Sequence, residues 1–249
     1  MLPSNVKKNS ARVFNRFIMI KINVKFSLII MLFFAACTSS PNQGTNTTDD
    51  TSAAKKNTQA GPMKTILFFG NSLTAGYGLE PEESFPALIQ DKIDSLNLPY
   101  KVVNAGLSGE TSAGGKSRIE WLLKQPVDVF VLELGANDGL RGIPVTETTA
   151  NLQSIVDQVK AKYPEVKMVM TGMQVPPNMG GIYASQFSQI FKKIAEKNRM
   201  AYVPFLLDRV GGVAELNQSD GIHPTAEGQV ILAENVWAVL EDILVDEQL

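Results

Sequence analysis

The stretch Asp128-Val129-Phe130-Val131-Leu132-Glu133-Leu134 is almost unbroken in apolar side chains. A strand with one wet face alternates polar and apolar residues; this one does not, so it reads as a strand of a sheet covered on both faces. The polar run Gly135-Ala136-Asn137-Asp138 follows it directly. Outward in both directions, short β-branched or aromatic runs alternate with helical patterns. Toward the N-terminus, 65–69 and 101–103 read as strands. Residues 83–96 read as a helix, with Phe85, Leu88, Ile89, Ile93 and Leu96 on helical spacing, and 117–124 as another. Toward the C-terminus, 167–171 and 201–205 read as strands. There 146–162, 183–198 and 224–244 read as helices, the last with Pro224 near its first turn. Five strands alternating with helices imply a parallel sheet, and right-handed crossovers make it a three-layer α/β/α body. No internal repeat of solenoid type is present. Ligands in such sheets bind at the carboxyl ends of the strands, so functional residues are expected just after strands.

Four polar clusters meet that expectation. Gly70-Asn71-Ser72-Leu73-Thr74 follows the first strand, Asn104-Ala105-Gly106 the second and Gly135-Ala136-Asn137-Asp138 the third. Asp220-Gly221-Ile222-His223-Pro224 leads into the last helix. A serine hydroxyl is a weak nucleophile that needs a base within hydrogen-bond reach, and the base needs an orienting partner. His223 is the only histidine, so it is the candidate base for Ser72. Asp220, three residues earlier, can fold back on the Nδ1 side of the ring; Asp208, after the last strand, is its rival as the acid. An attacked carbonyl oxygen becomes negative and needs facing donors. The backbone N–H groups of Ser72 and Gly106 and the side-chain amide of Asn137 are the candidates. Gly106 has no side chain to keep a substrate from its backbone. Asp138 is expected in a supporting role.

These blocks resemble the SGNH (GDSL-like) hydrolase family, whose name lists Ser, Gly, Asn and His: here Ser72, Gly106, Asn137 and His223. The resemblance covers about 63–249. The runs from Asn104 to Ser112 and from Glu133 to Gly142 are similar to the bacterial branch of thioesterase I, arylesterases and lysophospholipases. It implies a flavodoxin-like α/β/α fold and a serine esterase working through Ser72, His223 and Asp220, an acyl-enzyme and no cofactor. The implied substrates are short-to-medium acyl esters or thioesters, aryl esters or lysophospholipids. One departure stands out. The family's first block commonly reads Gly-Asp-Ser-Leu, and here Asn71 replaces the aspartate. That position is not the triad acid, so chemistry is expected to survive; hydrogen bonding in the loop and pH response are where a difference is expected. The Gly-x-Ser-x-Gly elbow of α/β-hydrolases is absent, Thr74 standing at the second glycine.

Composition limits the other readings. The 249 residues suit one domain plus extras, with 44% hydrophobic residues and a formal net charge of −2. Residues 1–36 hold Lys7, Lys8, Arg12, Arg16, Lys21 and Lys25 and no acid, which leaves 17 basic against 25 acidic residues after them, a formal −8. An acidic body argues against nucleic acid as a partner. One histidine and one cysteine exclude a multi-histidine metal site, a Cys-rich zinc site and an intrachain disulfide.

The N-terminus reads as an address. The apolar run 26–36 is about half the ~20 residues of a spanning helix. Lys21 and Lys25 precede it and Ala35-Ala36 close it, the three-part pattern of an export signal. Cys37 follows directly. The arrangement resembles a bacterial lipoprotein signal, which implies lipidation of Cys37 after cleavage and a membrane-anchored protein of the cell envelope. Phe34 stands where leucine is usual, and Met19 is an alternative start. Residues 38–62 hold almost nothing apolar and read as a flexible tether with a reach of roughly 25–30 Å.

The runs 107–109 and 173–183 are expected to border the cleft, the latter supplying Met and small residues as a pliable wall for acyl chains. Two readings stand beside an acyl esterase. One is a carbohydrate O-deacetylase on the same fold. The other is a non-catalytic binding lipoprotein, including one that holds phosphate at the loop 71–78; it leaves Asn137 and the Asp220–His223 pair without a purpose.

Overall fold

A computed structural model describes residues 62–245, which lie in one compact unit. The expectations for the signal segment 1–36, for Cys37 and for nearly all of the tether fall outside the described residues.

Five parallel strands form the sheet: β1 (Lys64–Gly70), β2 (Tyr100–Gly106), β3 (Val129–Glu133), β4 (Lys167–Thr171) and β5 (Ala201–Val203). Their order is β2-β1-β3-β4-β5. The helices are α1 (Ser72–Ala75), α2 (Phe85–Ser95), α3 (Ser112–Leu122), α4 (Ala136–Leu140), α5 (Val145–Lys162), α6 (Gly181–Asn198) and α7 (Ala226–Val245). Helix α5 packs between α3 and α6, and α2 packs on α7. Chain direction reverses across the sheet after β2, so right-handed crossovers put these two groups on opposite faces. The three-layer, flavodoxin-like architecture expected from the sequence is the one found.

The layers explain the composition of the strands. Every residue of β3 is buried, as are Ile66 to Gly70 of β1. Each fully buried Phe, Ile or Leu contributes about 1.5–3 kcal/mol against its ordering entropy. Strand β2 lies at the edge and alternates partly, with Lys101 and Val103 exposed.

Boundaries differ from the sequence reading where backbone chemistry decided. Strand β5 stops at Val203, beyond which the ladder falls out of step: Gly172 donates to Val203 O and accepts from the Leu206 N–H. Strand β2 runs on through Asn104-Ala105-Gly106, in register with Phe68-Phe69-Gly70. Helix α2 begins at Phe85, since 81–83 form a tight 3-10 turn and Ser84 is extended. Helix α3 begins at Ser112, five residues earlier than expected. The low helix propensity of Gly114-Gly115 hid this turn, which Thr111 caps by accepting the Gly114 N–H at 3.3 Å.

The strand order places a switch point between β1 and β3, where neighbouring connections depart in opposite directions. Ser72 opens the turn after β1, Asn137 sits on α4 just after β3, and the loop before α7 returns to the same rim.

Candidate active site

Ser72 starts α1, two residues beyond the end of the strand that carries it. Asn71 holds this turn: its Oδ1 accepts the Leu73 N–H at 2.9 Å, a side-chain cap. His223 Nε2 lies 2.9 Å from Ser72 Oγ, and His223 Nδ1 lies 2.6 Å from Asp220 Oδ2. Asp220 Oδ1 accepts the N–H groups of Ile222 at 2.9 Å and His223 at 3.0 Å. The hydrogen bonds from the His223 ring and then from these two backbone groups hold the Asp220 carboxyl down to about 2, against an ordinary 3.8. An ionised carboxylate only accepts, so the imidazole proton sits on Nδ1 and the Nε2 lone pair faces the serine hydroxyl. The arrangement can take the Ser72 proton. The Nδ1 partner is thus Asp220 and not its rival Asp208, for which no contact with His223 is found among the described residues.

Two loops are tied together behind the histidine. Gln218 Nε2 donates to Tyr77 O at 2.7 Å and to Pro224 O at 2.9 Å, and the Gln218 N–H donates to His223 O. The Tyr77 ring lies 4.5 Å from the imidazole at 40°.

The donors separate into used and unused. The structure corrects the expectation for Gly106. Its N–H already donates to Asn104 Oδ1 at 2.9 Å. A Cβ there would lie 2.7 Å from Ala75 Cα and closer still to Ala75 N. Gly106 is a glycine so that β2 can approach α1. It lines a separate groove of about 590 Å³ with Leu107 and Trp121, so Leu107 does not border the Ser72 cleft as expected. Gly109, three residues on, has φ 79° and open space where a Cβ would be. Among the described residues no protein acceptor meets the N–H of Gly109 or of Ser72. Asn137 Nδ2 donates to Glu110 O at 3.0 Å, leaving its second amide hydrogen. Arg141 Nη2 holds the Gly109 carbonyl at 3.1 Å.

The cleft beside Ser72 has a volume of about 580 Å³. Met173 to Pro176, the first part of the expected run, form part of its wall; Met179, Gly180 and Gly181, expected there too, are not among its lining residues. Leu140, Phe205, Leu207 and Ile222 were not anticipated; Leu140 ends the short helix α4 and the others lie in loops without periodicity, and the fold alone brings them to one wall. Asp138, buried and bonded to Ser112 N at 2.8 Å, fixes the start of α3 beside α4 and does not reach Ser72. Among the described residues no three His, Cys, Asp or Glu side chains gather as metal ligands would, and no helix is long and apolar enough to cross a membrane.

Sequence reasoning missed one titratable group. Glu133, the last residue of β3, is 1% exposed and turns beneath Asn71 and Thr74. Burial pushes its carboxyl up to about 7, while hydrogen bonds from Asn71 and Thr74 pull the other way. An acid closing an otherwise apolar strand was the available signal.

Comparison with known proteins adds the relatives. Residues 68–231 match the model of the GDSL-like lipase/acylhydrolase family. The chain is 40% identical over 188 residues to esterase TesA of Pseudomonas aeruginosa, covering 75% of this chain and 92% of that one. It is 38% identical over 177 residues to thioesterase 1/protease 1/lysophospholipase L1 of Escherichia coli K12, covering 71% and 83%. A crystal structure of TesA superposes with a TM-score of 0.70 at 40% identity, covering 73% of this chain and all of the other.

Proposed function

The chain belongs to the GDSL-like lipase/acylhydrolase family, and on that premise we propose that it is a serine esterase acting through Ser72, His223 and Asp220. The observation that carries this reading is the continuous relay from Asp220 Oδ2 through His223 to Ser72 Oγ, with contacts of 2.6 and 2.9 Å. Ser72 Oγ attacks the ester carbonyl carbon while its proton passes to His223 Nε2. The tetrahedral oxyanion is held by the N–H groups of Ser72 and Gly109 and by the free amide hydrogen of Asn137. The alcohol leaves with the proton from His223. Water, deprotonated by the same nitrogen, then attacks the acyl-enzyme and frees Ser72. Asp220 orients the ring and stabilises the imidazolium, and the Tyr77 ring packs beside it.

The cleft favours an acyl or aryl group as the substrate's recognised part. Its lining is mostly apolar, with Leu73, Leu140, Met173, Val175, Phe205 and Ile222 among its residues, the composition of a small-molecule pocket with few polar anchors. A phosphate held at the loop 71–78 is the weaker reading, because the buried Glu133 carboxyl lies directly behind that turn. The test is hydrolysis of p-nitrophenyl esters from acetate to palmitate by residues 63–249. An optimum between butyrate and decanoate supports the acyl-esterase reading; turnover of acetate alone supports a deacetylase.

The N-terminal expectations join this proposal: export, cleavage before Cys37 and lipidation of its thiol, leaving the enzyme tethered in the cell envelope. Labelled palmitate entering the wild-type chain and not Cys37→Ser supports this; equal labelling of both contradicts it.

A further inference from the structure

Glu133 is a buried acid that the hydrolytic cycle leaves unused, and it bonds the turn that carries the nucleophile. Strands β3 and β1 are paired so that Glu133 lies opposite Gly70. From there its carboxyl reaches under the β1–α1 turn. Oε2 accepts the Asn71 N–H at 3.0 Å and the Thr74 hydroxyl at 2.8 Å, and Oε1 accepts Asn71 Nδ2 at 2.7 Å. Asn71 passes the constraint on, because its Oδ1 caps Leu73 and lies 3.4 Å from Ser72 Oγ. The room is dedicated to this contact: a Cβ on Gly70 would lie 2.6 Å from Glu133 Oε2.

No cation pairs with Glu133 among the described residues. Arg118 on α3 is bound to Glu110 and Ala105 O. Asp138 on α4 is bound to Ser112, and the Asp220–His223 pair meets Ser72 Oγ. Asn71 and Thr74 from the β1–α1 turn are uncharged donors, so dipoles alone balance the carboxylate.

The donor pattern fits the ionised form. Three donors face two acceptor oxygens. A proton on Oε1 would oppose the Asn71 amide. Turning that amide over would take the acceptor away from Leu73 N–H. A proton on Oε2 would force the Thr74 hydroxyl to reverse and weaken the bond to Asn71 N–H. Either route loosens the turn that aims Ser72.

We propose that Glu133 is a positioning residue for the nucleophile: its ionised carboxylate, acting through Asn71 and Thr74, holds Ser72 within reach of His223, and turnover falls when Glu133 takes up a proton. Asn71 makes this a single-carboxylate device, since an acid in its place would bring a second carboxyl within hydrogen-bond distance of Oε1. Burial sets the range, raising Glu133 to about 7. The inference rests on the serine-esterase reading.

The test compares kcat, KM and the pH profile of kcat/KM for wild type, Glu133→Gln and Thr74→Val on one p-nitrophenyl ester, with Ser72→Ala as control. A glutamine must turn its NH₂ toward a donor, so E133Q is expected to lose about 100-fold in kcat, the scale of a misplaced reacting group, with KM little changed. Its acid limb loses the contribution of the Glu133 carboxyl. T74V removes a donor to the ionised carboxylate and leaves the carboxylate in place. Its acid limb is expected to move up by about one pH unit, the value of one hydrogen bond to a charged group. A folded E133Q with wild-type kcat overturns the proposal, as does a T74V profile that superposes on wild type. If E133Q does not fold, T74V decides alone. Turnover surviving in Ser72→Ala would instead remove the esterase reading itself.

Discussion

Replacing Asp220 by asparagine changes the imidazole tautomer and almost nothing else. Oδ1 accepts two backbone N–H groups at 2.9 and 3.0 Å, and an asparagine oxygen can keep both. The amide nitrogen then takes the place of Oδ2, 2.6 Å from Nδ1, and it can only donate. The ring proton is driven to Nε2, 2.9 Å from Ser72 Oγ, which turns the base into a donor. In serine proteases with a buried aspartate this exchange costs about 10⁴-fold in kcat. Here the Asp220 side chain is 39% exposed, so water and amide rotation relieve part of the mismatch. The expected loss is therefore about 10³-fold in kcat, with KM little changed. Asp220→Ala, which lets water occupy the site and leaves the tautomer free, is expected to lose no more than D220N. Asp208→Asn is expected to keep wild-type turnover. The assay is steady-state hydrolysis of a p-nitrophenyl ester at pH 8, with thermal unfolding to confirm equal folding. A folded D220N within tenfold of wild type would refute the tautomer reasoning. A loss in D208N equal to that in D220N would move the acid to Asp208.

Two further outcomes concern stability. Glu133 rises from 4.5 in the unfolded chain to about 7 in the fold, so between these values the native state holds a proton that the unfolded chain has released. Stability from this group is therefore greatest below about 4.5 and falls as pH climbs to 7, and the slope should vanish in E133Q; melting curves of the two proteins that stay parallel from pH 4.5 to 8 would count against this. Asp220, held down to about 2, has the opposite sign and acts only below its ordinary value of 3.8, outside that window. Gly106→Ala drives a Cβ against the Ala75 backbone and should cost about 2 kcal/mol, seen as a drop of roughly 4–8 °C in Tm; an unchanged Tm would show that β2 and α1 are not held this closely.

The sequence was most informative where one physical rule dominates. The unbroken apolar run of β3 required a sheet covered on both faces, and the helix–strand alternation then led to the parallel order found. Ser72, Asn137 and His223 were legible because they stand alone: one histidine, and polar clusters just where strands end. Gly106 misled because a glycine at a strand end serves close packing as readily as substrate approach, and nothing in Asn104-Ala105-Gly106 says that the Asn104 side chain takes the N–H. Its neighbour Gly109 carries the positive φ and the open face. Glu133 went unread because its partners Asn71 and Thr74 lie some 60 residues away and meet it only through the pairing of β1 with β3. The cleft wall from Leu140, Phe205 and Ile222 has no local signature either, since the end of α4 and two separate loops supply it.

The central claim is that Ser72 forms the acyl-enzyme, and active-site labelling read by mass addresses it most directly. Residues 63–249 and their Ser72→Ala variant would be treated with a fluorophosphonate ester, digested and mapped, beside parallel ester hydrolysis. The account predicts one adduct, on the peptide carrying Ser72, with turnover lost in step with labelling and both absent from the variant. An adduct on another residue, or ester turnover that persists in folded Ser72→Ala, would contradict it.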